Sequence, residues 1–316
     1  GGASVHVDML RKQINPFERL RLLRKKMPDT MFQTLCRGVN LFGYRPYPEN
    51  VVRRTVRAFA RYVDVWRVFD FLNHVPNMIP VFEEVRKAGK ILGYFHQLAS
   101  EAPVEKLHTP LPRFHDLGWR TRQLENGLAS GIRERVNEAE SELVLSRELI
   151  AFCRDIPIPK LPVRICHNDT KLSNILFDLG TERALCLIDL DTLMPGCLLY
   201  DFGDAARTLL DPLPESSPDR DRIRINLSMF DAFVRGWRES GLSMESTEVR
   251  WLAHGVVLMP TLHGIRALAD HIMGDRYYQT AFPGQNLVRA KNLLGFAEKV
   301  REVLPEMEVI LRKNLA

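Results

Sequence analysis

The run Val163-Arg164-Ile165-Cys166-His167-Asn168-Asp169-Thr170-Lys171-Leu172-Ser173-Asn174-Ile175-Leu176-Phe177-Asp178 reads as a short apolar strand, a polar loop and a second apolar strand. After a turn at Gly180 comes Ala184-Leu185-Cys186-Leu187-Ile188-Asp189-Leu190-Asp191, a third apolar strand closed by carboxylates. Short apolar runs bounded by turn residues are strand signals. The order is therefore strand, polar loop, strand, turn, strand, carboxylate.

Around this block, from about residue 94 onward, the chain reads as largely helical. Residues 138–155 form an amphipathic helix with Leu143, Leu145, Leu149, Ile150 and Phe152 among its apolar positions, broken by Pro157, Pro159 and Pro162. The first third has a different grammar. After Ser4-Val5-His6-Val7, residues 16–27 put Phe17, Leu20, Leu23 and Met27 on one helical face, with Pro16 in the first turn and Pro28 as the stop. A strand at Met31-Phe32-Gln33-Thr34-Leu35-Cys36-Arg37, a helix over residues 50–62, a strand at Val65-Trp66-Arg67-Val68-Phe69-Asp70 and a helix over residues 77–88 follow. Alternating strands and helices predict parallel βα units. The expected fold is α/β then α+β: a partial (β/α) barrel fragment of about three βα units over residues 1–92, then a mainly helical domain over residues 93–316.

Composition supports this division. The chain has 316 residues, 45% hydrophobic and 26% charged, which suits about two globular domains. Residues 1–93 carry 17 basic and 8 acidic side chains, whereas residues 94–316 carry 27 and 31. The overall net charge of +5 is too small to argue for a nucleic-acid partner. Cysteines 36, 153, 166, 186 and 197 are odd in number, form no CxxC and sit in apolar runs, so buried free thiols in a reducing compartment are expected. No apolar run reaches the ~18 residues of a membrane span, and the start Gly1-Gly2-Ala3-Ser4 has neither an initiator Met nor a secretory apolar stretch. A cytoplasmic protein without a membrane partner is the expectation.

His-x-Asp-x-x-x-x-Asn followed by an apolar strand ending in Asp resembles the catalytic and metal loops of the protein-kinase-like phosphotransferases. In that chemistry Asp169 takes the proton of an attacking hydroxyl. Asn174 supplies a neutral oxygen to Mg²⁺, and Asp189 an anionic ligand between metal and phosphates. Lys171 is placed to meet the transferring phosphoryl group. His167 reads as a hydrogen-bonding strut of the loop rather than a catalyst. Asp191 reads equally as a second metal ligand or a solvated turn residue. Asp201 reads as support for the loop or as the cap of a helix beginning at Phe202.

Further words carry the resemblance: Ile188-Asp189-Leu190-Asp191-Thr192, Tyr200-Asp201-Phe202-Gly203-Asp204, Gly264-Ile265-Arg266-Ala267-Leu268-Ala269-Asp270-His271 and Gly274-Asp275-Arg276-Tyr277-Tyr278. With the loop they resemble the aminoglycoside phosphotransferase and choline kinase superfamily, its N-acetylhexosamine 1-kinase group above all, from about residue 95 to about 300. The resemblance implies a kinase C-lobe, ATP and Mg²⁺, an amino sugar as acceptor, and Arg266 near the substrate. An Arg on a mostly apolar helix reads equally as a structural ion pair.

The first ninety residues resemble something else. Pro16-Phe17-Glu18-Arg19-Leu20-Arg21-Leu22-Leu23-Arg24, Leu35-Cys36-Arg37-Gly38-Val39-Asn40-Leu41-Phe42-Gly43-Tyr44 and Val65-Trp66-Arg67-Val68-Phe69-Asp70-Phe71-Leu72-Asn73 are similar to the carboxyltransferase domain of pyruvate carboxylase and the oxaloacetate decarboxylase alpha subunit. That likeness implies a vestigial pyruvate pocket at Arg37, a guanidinium suited to pairing with a carboxylate. The family's metal set includes a His-x-His pair, and the nine histidines contain none, so carboxyltransferase activity is not expected. Nor do residues 1–93 contain a Gly-x-Gly-x-x-Gly; the glycines at 38 and 43 precede Tyr44 rather than Lys, and Lys87 and Lys90 read as solvated helix charges. The expectation is a composite chain joined near residues 85–95, with a sugar-kinase lobe turning over weakly or not at all because the nucleotide lobe is missing. The alternatives are an active sugar 1-kinase with an atypical N-lobe, and a non-catalytic module that self-associates through the open βα fragment.

Overall fold

The computed structural model describes residues 15–27, 33–36, 65–68, 78–177, 184–210, 223–278 and 280–315. Backbone contacts divide the chain into two units, Gly1–Met78 and Ile79–Ala316. In the first, helix α1 (Pro16–Lys26) starts where the sequence places it: the Asn15 side chain accepts from the Phe17 N–H at 3.0 Å, and Pro16 opens the first turn. Strands β1 (Gln33–Cys36) and β2 (Val65–Val68) pair in parallel, with Gln33 opposite Val65 and Cys36 opposite Val68. The strand expected at residues 4–7, the helix expected over 50–62 and Arg37 lie outside the described residues.

Helix α2 (Met78–Ala99) does not stop at Ala88 as the sequence suggests. Gly89 and Gly93 are not terminators but contact points for α7 (Leu227–Glu239) and the residue that caps it. A Cβ on Gly89 would lie 2.3 Å from the Phe233 carbonyl oxygen, and one on Gly93 would lie 2.3 Å from Ser240 Oγ. Gly236 of α7 faces back onto the Arg86 carbonyl. Close backbone approach thus outweighs the ~1 kcal/mol cost of glycine in a helix. The expected join at residues 85–95 lies inside this one helix.

Further along, α3 (Leu117–Ser130), α4 (Arg133–Glu138) and α5 (Glu140–Arg154) precede the strands. The helix predicted over 138–155 is therefore interrupted at Ala139, which ends one helix and begins the next. Strand β3 (Arg164–Cys166) pairs antiparallel with β6 (Met194–Gly196), and β4 (Ile175–Phe177) with β5 (Ala184–Leu187). The remaining helices are α6 (Leu198–Leu209), α8 (Ser246–Ile272), α9 (Gln285–Glu302) and α10 (Leu304–Leu315). Helix α8 is the central post, apolar nearly all round and packed against α3, α5, α6, α9 and α10. Its Gly255 and Gly203 of α6 allow backbone contact, since a Cβ on Gly203 would fall 2.1 Å from the Gly255 carbonyl oxygen.

The core of this unit holds Phe202, Phe230, Phe233 and Trp237, all fully buried, with ring centroids 5.0–6.0 Å apart in tilted and edge-on pairs. Arg164 clips β3 to α8 through two 2.6 Å bonds to the Glu248 carboxylate. Cys153, Cys166 and Cys197 are buried as expected, but Cys186 is exposed on β5 beside Leu185. That hairpin strand turns more of its surface to solvent than its apolar run suggests. Among the described residues no helix is long and apolar enough to cross a membrane.

Candidate active site

The loop between β3 and β4 is built around Asn168. Its backbone is left-handed at φ 64°, a region few non-glycine residues adopt and Asn tolerates best. The conformation is held from every side. Asn168 N–H donates to Asp201 Oδ1 at 2.6 Å, and His115 Nε2 lies 3.2 Å from the Asn168 carbonyl oxygen. The side-chain amide donates to the Cys166 and Thr192 carbonyls at 3.0 and 3.1 Å.

His167 is fully buried. Its Nε2 donates to the Ile188 carbonyl at 3.0 Å, and its Nδ1 accepts from the Asp169 N–H at 3.3 Å. Thr192 Oγ1 donates to the His167 carbonyl at 2.6 Å. His167 and Asn168 therefore tie the segment carrying Asp169 to the segment carrying Asp189 and Asp191. Two segments locked through backbone carbonyls keep their side chains in register.

Asp201 does not cap a helix starting at Phe202. Helix α6 begins four residues earlier, at Leu198, because Leu198 and Leu199 are fully buried first-turn residues that follow β6 after Cys197 alone. Asp201 sits in that first turn, buried, and receives the N–H groups of both His167 and Asn168, at 2.7 and 2.6 Å. Its backbone carbonyl accepts from Thr170 Oγ1 at 2.6 Å. His96, buried on α2, stands behind it with Nε2 3.0 Å from Asp201 Oδ2.

On the open side of the loop, Asp169 Oδ2 accepts from Lys171 Nζ at 2.5 Å and from Asn174 Nδ2 at 2.9 Å. Asn174 Nδ2 also donates to the Asp169 carbonyl at 2.8 Å, and the Asn174 carbonyl accepts the Ile188 N–H at 2.9 Å. The second contact carries the loop's position across to Asp189. Asp189 is exposed and left-handed at φ 68°, immediately ahead of the turn Leu190–Thr192, and Asp191 is exposed on that turn. With the Asn174 amide nitrogen committed to Asp169, its amide oxygen is the group left to ligate. A neutral oxygen on Asn174 and an exposed carboxylate on Asp189 together make a hard-oxygen donor set of the kind Mg²⁺ prefers. The residues present therefore fit that ion.

His115 and Asp204 are both buried. Burial, then the charge of His263, push the His115 imidazole down to about 3. Burial alone would raise the Asp204 carboxyl. Arg207, 2.7 Å away, and His263, 3.3 Å away, outweigh it and hold that carboxyl well below the usual range.

Next to His115, the Phe114 ring lies under the Arg266 guanidinium at 5.1 Å. Arg266 also faces the Tyr277 and Tyr278 rings at 5.6 and 6.0 Å, and donates to the Tyr277 hydroxyl at 3.2 Å. Among the described residues it forms no ion pair, so the structural-pair alternative for Arg266 is set aside in favour of aromatic stacking. The Tyr277–Tyr278 segment is pinned by Asp270, whose carboxylate receives the N–H groups of Arg276, Tyr277 and Tyr278 and the Asn286 amide at 2.8–2.9 Å.

His96 and His115 escape a sequence reading because each reaches the loop or its Asp201 support from a distant element. The one local signal was the Asn between His167 and Asp169, a residue suited to positive φ. His96, Cys166 and Asp201 bring three donors within 4.8 Å of one another. Both Asp201 oxygens already accept backbone N–H groups, so this trio reads as part of the loop's support.

Comparison with known proteins adds the following. A sequence profile for the phosphotransferase enzyme family matches residues 48–239. The N-terminal segment is 44% identical over 93 residues to pyruvate carboxylase 1 of Caenorhabditis elegans, which is 29% of this chain and 8% of that protein. The chain thus spans less than a tenth of the length of that relative. Among solved structures, a microcompartment-associated aminopropanol kinase aligns at 17% identity and TM-score 0.44, covering 73% of this chain and 65% of the other. The choline kinase of Cryptosporidium parvum aligns at 12% identity and TM-score 0.44, covering 84% and 82%.

Proposed function

The chain belongs to the phosphotransferase enzyme family, and we propose that its described site transfers the γ-phosphoryl group of ATP to a hydroxyl of a small sugar-class molecule. The observation that carries this reading is the Asp169 carboxylate. It is fixed by Asn174 and Lys171 on one side and tied through Ile188 to Asp189 on the other. Asp169 accepts the proton of the attacking hydroxyl, and Lys171 moves from Asp169 to the transferring phosphoryl oxygens. Mg²⁺, held by Asn174 and Asp189, would neutralise charge on the phosphates. His167, Asn168 and Asp201 hold these groups in place. An amino sugar is the acceptor that the sequence resemblance favours.

Turnover is slow in this reading, because phosphoryl transfer depends on positioning the nucleotide and the N-terminal segment is carboxylase-like. A second reading, a working nucleotide lobe, draws on the start of the family match at residue 48, ahead of the 92/93 boundary. Thermal unfolding in millimolar ATP and Mg²⁺ separates the two. A working lobe gives a rise in Tm that Asp189→Ala abolishes, whereas the composite gives none. Self-association through the N-terminal segment is also proposed, since Leu22 and Leu23 of α1 and Met27, which caps it, stand exposed. Light scattering that shows a monodisperse monomer rejects it.

A further inference from the structure

Arg266 shares a cavity of about 320 Å³ with a second arginine, Arg120 of α3. Arg120 is held in place rather than neutralised. Its Nε and Nη2 donate to the Phe114 carbonyl at 3.2 and 2.9 Å, and its Nη1 to Gln123 Oε1 at 2.7 Å. Both acceptors are uncharged, and the fork keeps N–H donors to spare. Arg266 is held by ring faces and a phenol hydroxyl. The one carboxylate in the cavity wall, Asp270, is saturated by three backbone N–H groups and an amide.

Among the described residues neither guanidinium forms an ion pair, although the Asp116 charge is felt by Arg120, and the two meet at one half-buried cavity. Their mutual cost is visible: burial and then the charge of Arg266 bring the Arg120 guanidinium down to about 10. Phe114, which anchors Arg120 through its carbonyl and Arg266 through its ring, directly precedes His115, the residue in contact with the loop at Asn168. The cavity and the loop that carries Asp169 are thus fixed by one two-residue segment.

We propose that this cavity binds an anionic group, a carboxylate or a phosphate, carried by the hydroxyl-bearing acceptor. The preferred acceptor is then a sugar acid or a sugar phosphate rather than a neutral sugar. A guanidinium pair matches the planar oxygens of a carboxylate or the triangular face of a phosphate, and the Tyr277 ring in the cavity wall takes the sugar's apolar face. The inference rests on the proposed acceptor side of the site, but it is tested without ATP, so the loss of phosphoryl transfer and the loss of anion preference are separate results.

The experiment is calorimetric titration of the full chain with two matched pairs: N-acetylglucosamine 6-phosphate against N-acetylglucosamine, and glucuronate against glucose. The expected result is at least tenfold tighter binding of one acid than of its neutral partner, and the pair that shows it distinguishes phosphate from carboxylate. Arg266→Gln and Arg120→Gln each lose that tenfold preference, while Arg266→Lys keeps part of it. Circular dichroism identifies any variant that misfolds, and the salt dependence of wild-type binding serves as an independent readout, weakening for the acid alone. Equal affinity for acid and neutral sugar in both pairs, absence of binding by either acid, or an acid preference untouched by both Gln variants overturns the proposal.

Discussion

Asn168 offers the sharpest quantitative test, because replacing it separates backbone strain from hydrogen bonding. Its amide makes two good bonds, to the Cys166 and Thr192 carbonyls, and a longer one to Met194 at 3.4 Å. Asn168→Gly keeps the left-handed backbone available and deletes those bonds. At about 0.5–1.5 kcal/mol per net bond, and more for a buried carbonyl left bare, the loss is ~2–3 kcal/mol. Asn168→Ala deletes the same bonds and also forces a Cβ-bearing residue to φ 64°, which adds ~1–2 kcal/mol. The predicted stability order is Asn, then Gly, then Ala, the reverse of the usual helix-propensity intuition. Urea unfolding followed by far-ultraviolet circular dichroism measures it, with the slope checked for constancy across the series. A Gly variant as stable as wild type would show that the amide ties contribute nothing. An Ala variant equal to Gly would refute the left-handed loop itself.

The other predictions concern the surroundings of the loop. Asp201→Ala strips partners from two buried backbone N–H groups and from His96, so it should destabilise by ~3–6 kcal/mol, well beyond the Asn168 variants, in the same urea experiment. His115 is neutral in the folded state down to about 3, while the unfolded chain takes up that proton near pH ~6.5. Stability is therefore full above about pH 6.5 and falls as the pH drops toward 3, by ~1.4 kcal/mol per pH unit for one proton. His115→Gln, which retains a donor for the Asn168 carbonyl, should flatten that slope by one proton, and an unchanged slope contradicts the assignment. Burial pushes the Cys153 and Cys197 thiols up to about 12 and raises Cys166. Peptide mapping after alkylation of the native protein should therefore find Cys186 modified and these three protected.

Much of the candidate site was readable because it is local. Asp169, Lys171 and Asn174 occupy one loop at fixed spacing, and Asp189 ends the second strand of the hairpin that follows. Sequence order alone thus brings the proposed acid–base and ligand groups together. The parts that were not readable come from afar: the His115–Asn168 contact spans 53 positions and the Arg164–Glu248 clip 84. No local periodicity encodes which distant element meets which loop. The helix expected over residues 77–88 runs on through Gly89, whose role is close packing against the Phe233 carbonyl, a property of the partner helix. Asp201 read either as support for the loop or as a helix cap, because acidic residues favour helix starts. The two buried leucines ahead of it moved the start of α6 upstream and left Asp201 to hold the loop. The N-terminal likeness was legible as a run of words, while Arg37 lies outside the described residues.

The central claim is that Asp169 performs phosphoryl transfer in a chain whose first 92 residues handle the nucleotide poorly. Radiolabelled ATP, Mg²⁺ and the four sugars named above, incubated with the full chain and with Asp169→Asn, test it directly. The account predicts labelled sugar from the unmodified chain at well under about 1 s⁻¹, below the range usual for kinases, and at least tenfold less from the variant. Equal product from the two proteins, none included, or turnover within the ordinary kinase range, contradicts it.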